Sequence, residues 1–171
     1  YIIWRKSNQI YSPYLCITSK FMSFTKLEKE VIDNFLSEEE HNTIKNLIYF
    51  NADFPFYFQY SVAEDVLSDR IWDWYGTHLF YSNDQPLSNH FETVRQVFLP
   101  KFKDMFGGFK SLIRIKANFY PNTPVIQEHD DHVDFPWSHH GAIFSINTCD
   151  GFTRFKDGSK VDSVENRLVL F

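Results

Sequence analysis

The stretch Asn118–Asp134 has the sequence NFYPNTPVIQEHDDHVD and ends in the motif His132-Val133-Asp134. We expect this motif at the start of a strand. Because successive side chains of a strand point to opposite faces, His132 and Asp134 would share one face while Val133 turns back into the wall. Two histidines and one carboxylate on one face form a site for non-haem Fe(II). The motif supplies two thirds of such a site and predicts His132 and Asp134 as metal ligands.

Short strand candidates flank this motif on both sides. Upstream, Ile113–Tyr120 has alternating apolar side chains and ends at the turn signal Pro121-Asn122. Downstream, further β-rich runs are separated by glycine-containing turns, and they are Ala142–Asn147, Thr153–Phe155 and Asn166–Phe171. Short strands separated by turns are typical of a sandwich or a barrel and not of alternating strands and helices.

Together, the order and spacing of these pieces resemble the iron(II)- and 2-oxoglutarate-dependent dioxygenases, and most closely their prolyl 4-hydroxylase-like branch. The resemblance covers roughly the C-terminal third of the chain in detail, and the matching pieces are Tyr120-Pro121, His132, Asp134, Ile146-Asn147, Gly151 to Phe155 and Arg167–Phe171. It implies an α+β, mainly β fold. The core would be a double-stranded β-helix of the jelly-roll or cupin-like kind, with flanking N-terminal helices.

The resemblance also implies an activity and a set of ligand contacts. Fe(II) would be bound by His132 and Asp134, 2-oxoglutarate and O2 would be cosubstrates, and ascorbate would be an optional reductant. The hydroxyl of Tyr120 would contact 2-oxoglutarate, and Ser145 would lie near its far carboxylate. Asn118 shares a strand face with Tyr120 and is expected to be a further polar contact. The implied reaction hydroxylates an unidentified substrate, such as a prolyl side chain or a small metabolite, and releases succinate and CO2.

Two other kinds of protein fit the same pattern, because a fold does not determine a function. One is a cupin-like binding module without catalysis. The other is a metal-dependent hydrolase or isomerase on the same jelly roll, which would use Zn2+ or Mn2+ and would turn over without O2. Ordinary strand positions are the alternative interpretation of Tyr120, Asn118 and Ser145.

Other histidines and aspartates compete with the predicted ligands. His129 lies three residues before His132, so on a strand the two side chains would face opposite sides. We therefore expect His129 to contact the bound ligands or the substrate and not the metal. Asp130 and Asp131 lack the His-x-Asp spacing of Asp134. His139 and His140 are expected in a loop, at the surface or near the substrate. His41, His78 and His90 are expected to be exposed or ordinarily hydrogen-bonded.

Two helices are predicted in the N-terminal part of the chain. Ser37 and Glu40 have the spacing of a capping box, which opens the first helix. The second is predicted over Ser88–Phe106, with a bend or interruption at Pro100 and an end at Gly107.

Between and before these helices the spacing of apolar residues is less regular. Lys29–Phe35 is a strand candidate, and so are Phe54–Tyr60 and His78–Tyr81. The aromatic and polar residues of Asn51–Asp84 predict a lid or a substrate wall, with plain core packing as the alternative interpretation.

The length of 171 residues suits one domain, which we place at residues 22–171. Residues 1–21 contain no acidic residue and no apolar core of a signal peptide, so we expect an atypical leader or the edge of a fragment. An N-terminal strand packed on the core is the alternative. The resemblance places a second ligand histidine and a basic anchor for 2-oxoglutarate beyond Phe171. We therefore expect the domain to lack its C-terminal strands and the activity to belong to a longer gene product.

Composition narrows the choice of partners. The net charge of −5 argues against nucleic acid, and the chain contains no run of the roughly 20 apolar residues that a membrane span needs. Cys16 and Cys149 form no Cys-x-x-Cys motif and are expected to be reduced thiols, which favours a cytoplasmic protein. The expected partners are a small-molecule cosubstrate and a substrate that is a protein, a peptide or a metabolite.

Overall fold

The structure is a computed structural model that describes residues 2–3, 11–21, 29–60, 73–129 and 132–171. Two predictions fall partly or wholly outside these residues, namely those for Asp130 and Asp131 and for part of the lid or wall segment. The described helices and strands, in chain order, are β1 (Ile2–Ile3), β2 (Tyr11–Phe21), β3 (Glu30–Ile32), α1 (Glu38–Ile48), β4 (Tyr57–Gln59), β5 (Tyr75–Ser82), β6 (Gln85–Pro86), α2 (Phe91–Phe106), β7 (Phe109–Pro121), β8 (His140–Ser145), β9 (Phe152–Arg154), β10 (Lys160–Asp162) and β11 (Arg167–Leu170).

The strands form two antiparallel sheets. The larger sheet has eight strands in the order β3-β11-β8-β2-β7-β5-β4, with β6 paired to β5, and the smaller sheet has the order β1-β9-β10. Neither sheet closes on itself within the part of the chain that the structure describes. The predicted α+β, mainly β class is confirmed.

The N-terminal segment contributes a central strand. Strand β2 lies between β7 and β8, so Tyr14 is opposite Asn118 on one side and Ser145 on the other. Tyr11–Phe21 therefore forms a strand packed on the core, which was the alternative interpretation of the first 21 residues. Pro13 made this strand hard to predict, because proline lacks the backbone donor that a central strand uses.

The larger sheet has one apolar face and one polar face, because side chains alternate along each strand. The apolar face packs against α1 and α2, and its fully buried side chains include Leu15, Ile17, Ile115, Phe144 and Leu168. The helices contribute Ile44, Phe98 and Phe102 to the same core. The opposite face carries Lys116, Asn118 and Tyr120 on β7.

Both predicted helices are confirmed, with changes at their ends. Helix α1 begins after Ser37, whose hydroxyl accepts a hydrogen bond from the Glu40 backbone while the Glu40 carboxylate accepts one from the Ser37 backbone. Helix α2 begins at Phe91, three residues later than predicted, and continues through Pro100. It ends at Gly107, whose φ of 71° is in the left-handed region that glycine adopts at little cost.

Neither α1 nor α2, the two helices of the described residues, has the length and apolar character that crossing a bilayer requires.

Replacing Ser37 with alanine is expected to lower the free energy of unfolding by about 1 kcal/mol, because both hydrogen bonds of the capping box depend on this residue. Urea unfolding monitored by circular dichroism measures the change. Ser138→Ala, at an exposed loop position, is the matched control. An equal loss in both variants would show that the capping box contributes nothing specific.

Candidate functional site

A cavity of about 640 Å3 lies against the polar face of the larger sheet. Strands β2, β7 and β8 form one wall, and Thr153 and Arg154 of β9 in the smaller sheet form part of another. The loop between β7 and β8 contributes the remaining side. Volumes of about 300–1,000 Å3 are typical of small-molecule sites, so this cavity has the size for a ligand.

Four of the five predicted site residues line this one cavity. They are Asn118 and Tyr120 on β7, and His132 and Asp134 in the loop that follows. Ser145 is buried on the same face of the sheet, opposite Tyr14, but is not among the residues that line the cavity.

The prediction that His132 and Asp134 begin a strand is wrong. Both lie in an irregular part of the loop between β7 and β8, and Val133 is 78% exposed instead of turned into the wall. The loop is held by side chains and not by a strand ladder. Asp134 binds Arg114 of β7, and the ring of Phe135 lies 4.9 Å from the Arg114 guanidinium. The alternation of side chains along a strand therefore does not orient His132 and Asp134.

The carboxylate of Asp134 lies between two cations of β7. Its Oδ2 atom is 2.6 Å from Nη2 of Arg114, and its Oδ1 atom is 4.0 Å from Nζ of Lys116. Desolvation raises the pKa of Asp134, but the charges of Lys116 and Arg114 outweigh it, so the net pKa lies below the ordinary value. The carboxylate is therefore ionised at neutral pH.

This lowered pKa predicts a pH dependence of stability. A carboxyl whose pKa is lower in the folded state stabilises the protein above the unfolded pKa and loses that contribution as the pH falls through the folded pKa. Asp134→Asn should therefore have a lower free energy of unfolding than the wild type at pH 7. The loss should be smaller than that for a broken buried ion pair, which is about 3–5 kcal/mol. The difference should shrink below the ordinary pKa of 3.8.

Urea unfolding of both proteins between pH 7 and pH 3 measures this difference. Asp104→Asn, at an exposed position of α2, controls for the loss of one negative charge. A difference that stays constant down to pH 3 would contradict the stabilising role of the ionised Asp134 carboxylate.

A chain of hydrogen bonds crosses the floor of the cavity. Thr77 Oγ1 donates to Asn118 Oδ1 at 2.8 Å, Asn118 Nδ2 donates to the Tyr14 hydroxyl at 2.9 Å, and that hydroxyl donates to Tyr120 at 3.4 Å. Burial raises the pKa of both tyrosines, so both hydroxyls are neutral. The floor can offer hydrogen bonds to a ligand without adding charge.

His129 belongs to the cavity wall and is held by Asp73. The Nδ1 atom of His129 is 3.1 Å from Oδ1 of Asp73, both side chains are 5% exposed, and the imidazole ring is 5.2 Å from the Tyr120 ring. Asp73 was not predicted, because it is 56 residues away in the sequence and has no local motif.

The other histidines are mostly structural. His41 is buried and within 3.3 Å of the Ile146 carbonyl oxygen, and His78 is buried and within 2.7 Å of the Pro55 carbonyl oxygen. These two confirm the expectation of ordinary hydrogen bonding. His139 lines the cavity, and His140 begins β8.

Positive charges come from both walls of the cavity. Lys116 belongs to the wall formed by the larger sheet, while Arg154 and Lys156 belong to the opposite wall. Arg154 is paired with Glu128 at 2.5 Å. Cys16 also lines the cavity, and burial together with the nearby Asp134 charge raises its pKa to about 11, so it is a neutral thiol.

Within the described ranges, no three or more His, Cys, Asp or Glu side chains are grouped so that they could hold a metal ion. His132 and Asp134 are the pair of ligand-type side chains that the sequence predicts. The thiol of Cys16 lies 3.9 Å from Oδ2 of Asp134, but these residues do not form such a group.

No protein family, curated protein or solved structure matches the chain. The proposed function therefore rests on the residues of the cavity.

Proposed function

We propose that this protein is an Fe(II)- and 2-oxoglutarate-dependent dioxygenase. It would hydroxylate a C–H bond of a substrate, with a protein or peptide side chain such as proline, or a small metabolite, as the candidates. The proposal keeps the activity implied by the sequence resemblance and adds a location, the 640 Å3 cavity on the polar face of the larger sheet.

The observation that carries this proposal is the convergence of four predicted residues on one cavity. Local sequence features predict all four: the His-x-Asp motif predicts His132 and Asp134, while the resemblance and strand alternation predict Tyr120 and Asn118. A cavity with a few convergent polar groups is where a small-molecule site is expected.

The cavity contains two of the three residue types of a facial iron site. His132 offers an imidazole, Asp134 offers an ionised carboxylate, and both line the cavity. A divalent ion at Asp134 would compete with Arg114 and Lys116 for the carboxylate oxygens. The third protein ligand has to come from outside the arrangement of the described residues. When bound, Fe(II) would supply the oxidative decarboxylation of 2-oxoglutarate that drives hydroxylation.

The other cavity residues would bind and enclose the cosubstrate. Lys116 would attract its negative charge, and the neutral hydrogen-bonding row of Asn118 and Tyr120 would orient its oxygen atoms. Ile143 and Phe171 add apolar surface to the lining, which would reduce the access of water.

We further propose that the two sheets are the walls of a double-stranded β-helix. The support is that the cavity takes residues from both, with Tyr14 and Lys116 from the larger sheet and Thr153 and Arg154 from the smaller one. Binding between facing sheets is a common arrangement in jelly-roll proteins.

The test is an assay of succinate release by the protein. We expect succinate to form from 2-oxoglutarate only when Fe(II) and O2 are both present, with ascorbate added to keep the iron reduced. Candidate prolyl peptides should then raise the rate if a peptide is the substrate. A folded protein that releases no O2-dependent succinate above the heat-denatured control would reject the proposal.

One observation favours a second candidate, a binding module without catalysis. Asp134 is paired with Arg114 at 2.6 Å, and among the described residues it belongs to no group of three or more ligand-type side chains that could hold a metal ion. A module of this kind would bind an acid in the cavity without metal. It predicts binding of 2-oxoglutarate that needs no divalent ion, together with no succinate in the assay above.

A further inference from the structure

Two phenylalanine rings, each at the end of a strand from a different sheet, form a corner of the cavity. Phe155 directly follows β9 of the smaller sheet, and Phe171 directly follows β11 of the larger sheet. Their ring centroids are 5.5 Å apart, and the two ring planes make an angle of 70°. Both side chains line the cavity. A third ring can stack on one of them and meet the other edge to face, which are the contacts that aromatic rings prefer.

The side chain of Phe171 is held in place but keeps an open apolar surface. The Gly141 N–H donates to the Phe171 carbonyl oxygen at 2.7 Å, and the Phe171 N–H donates to the Gly141 carbonyl oxygen at 2.9 Å. The residue is nevertheless 37% exposed. Covering apolar surface of this kind with another apolar group is favourable, because it removes that surface from water. The ring of Phe171 is therefore a preformed contact for the apolar part of a ligand.

Glycine at position 141 makes this place for the ring possible. A Cβ atom on residue 141 would lie 2.5 Å from Cε2 and 2.6 Å from Cζ of Phe171, well inside the contact distance of carbon atoms. Any larger residue would therefore displace the ring and change the corner. Glycine weakens the interior of a strand, and a close approach by another group is a common reason for its presence there.

A cation lies next to this corner in the chain. Lys156 directly follows Phe155 and lines the cavity, and it forms no ion pair with any residue that the structure describes. Arg154, by contrast, is paired with Glu128 at 2.5 Å. A hydrogen bond of 2.9 Å from the Phe155 N–H to the Ser159 carbonyl oxygen closes the turn that carries Lys156. The Lys156 ammonium can therefore attract an anionic group of a ligand beside the two rings.

We propose that this corner is the substrate subsite and that the substrate is an aryl acid. Its ring contacts Phe155 and Phe171, and its carboxylate pairs with Lys156. The proposal deepens the proposed function and rests on it for the reaction carried out at the site, and it selects an aromatic metabolite from the candidates named there. Lys156 and Lys116 lie on opposite walls of the cavity, so the substrate and the cosubstrate have separate cations.

3-Phenylpropanoate is a suitable probe, because it has an aromatic ring, a short chain and a carboxylate. Two comparison compounds each lack one of these groups: hexanoate lacks the ring, and 3-phenyl-1-propanol lacks the charge. Titration of the protein without iron and without 2-oxoglutarate, followed by NMR chemical shifts, measures all three affinities. We expect 3-phenylpropanoate to bind about tenfold more tightly than either comparison compound.

Variants of the corner assign each preference to a side chain. Phe171→Ala should remove the preference for 3-phenylpropanoate over hexanoate, and Gly141→Ala should do the same by displacing the ring. Lys156→Met should remove the preference for 3-phenylpropanoate over 3-phenyl-1-propanol. Phe50→Ala and Lys103→Met are the matched controls, since both positions are exposed and neither lines the cavity, and they should keep both preferences.

The outcomes test the ring contact and the carboxylate contact separately. Equal affinity of the folded wild type for 3-phenylpropanoate and hexanoate would overturn the aryl subsite. A ring preference that persists in both Phe171→Ala and Gly141→Ala would also overturn it, because the ring would then bind elsewhere. If Lys156→Met still prefers the acid to the alcohol, the pairing of the carboxylate with Lys156 is wrong.

The same titrations separate this subsite from the proposed function, because they need neither iron nor turnover. If both preferences are found and no O2-dependent succinate forms, the aryl-acid site stands while the proposed function fails. If succinate forms but 3-phenylpropanoate does not bind, the proposed function stands while the aryl-acid site fails.

Discussion

Alanine at His132 or at Asp134 is expected to reduce Fe(II)-dependent succinate release to below about 1% of the wild-type rate. Residues that only support a metal ligand already contribute about 10–100-fold to metal affinity or activity, and a ligand itself contributes more. Each substitution removes one of the two donors that the proposed iron site takes from the cavity. The loss should appear both in the rate at saturating 2-oxoglutarate and in the affinity for Mn2+ measured by calorimetry.

His129→Ala is the matched control for this prediction. His129 lines the same cavity, but its Nδ1 atom is bound to Asp73 and its ring lies beside Tyr120, so its side chain belongs to the wall. We expect this variant to keep much of the activity and most of the Mn2+ affinity. If His129→Ala loses as much of both as His132→Ala while its thermal melt is unchanged, the choice of His132 and Asp134 as the ligand pair is wrong.

Phe144→Ala is expected to lower the free energy of unfolding by about 3–5 kcal/mol, the usual cost of removing a large aromatic side chain from a packed core. Phe144 is 0% exposed and its ring lies 5.1 Å from Phe98, 6.3 Å from Phe35 and 6.1 Å from His41. It therefore joins both helices to β8. The empty space that alanine would leave at this position cannot be filled by the rotation of one neighbouring side chain.

Urea unfolding at pH 7 measures this loss. Phe58→Ala is the control, since Phe58 is 51% exposed on the edge strand β4, and we expect it to cost less than about 1 kcal/mol. Equal costs for the two variants would mean that the core beneath the larger sheet is not packed as described. Because Phe144 follows Ile143, which lines the cavity from the same strand, its loss should also weaken ligand binding in the cavity.

The two helices and most of the strands follow from local patterns. The Ser37 and Glu40 pair marks the start of α1, and Gly107 marks the end of α2. Alternation in Ile113–Tyr120 placed Asn118 and Tyr120 on one face of β7, and both line the cavity. These features depend on neighbouring residues in the chain, so they can be predicted before the fold is known.

Strand β10 and the central position of β2 could not be predicted in the same way. The three residues Lys160–Asp162 have too short a pattern to distinguish a strand from a turn. Residues Tyr11–Phe21 contain Pro13, and their place between β7 and β8 depends on pairing with residues far away in the chain, such as Asn118 and Ser145 opposite Tyr14.

In the candidate site, too, some features follow from local sequence and others from the tertiary structure. The sequence by itself determined which residue types could carry the chemistry, namely His132, Asp134, Asn118 and Tyr120, because motif spacing and strand alternation are local properties. Only the tertiary structure decided what surrounds them. It brought Tyr14 to Asn118 across 104 positions of the chain and Asp73 to His129 across 56, and it set Arg114 against Asp134 in a loop where a strand was expected. The physical reason is that these contacts depend on the order and register of strands in the sheet and on the balance of charge in the cavity, which no stretch of neighbouring residues encodes.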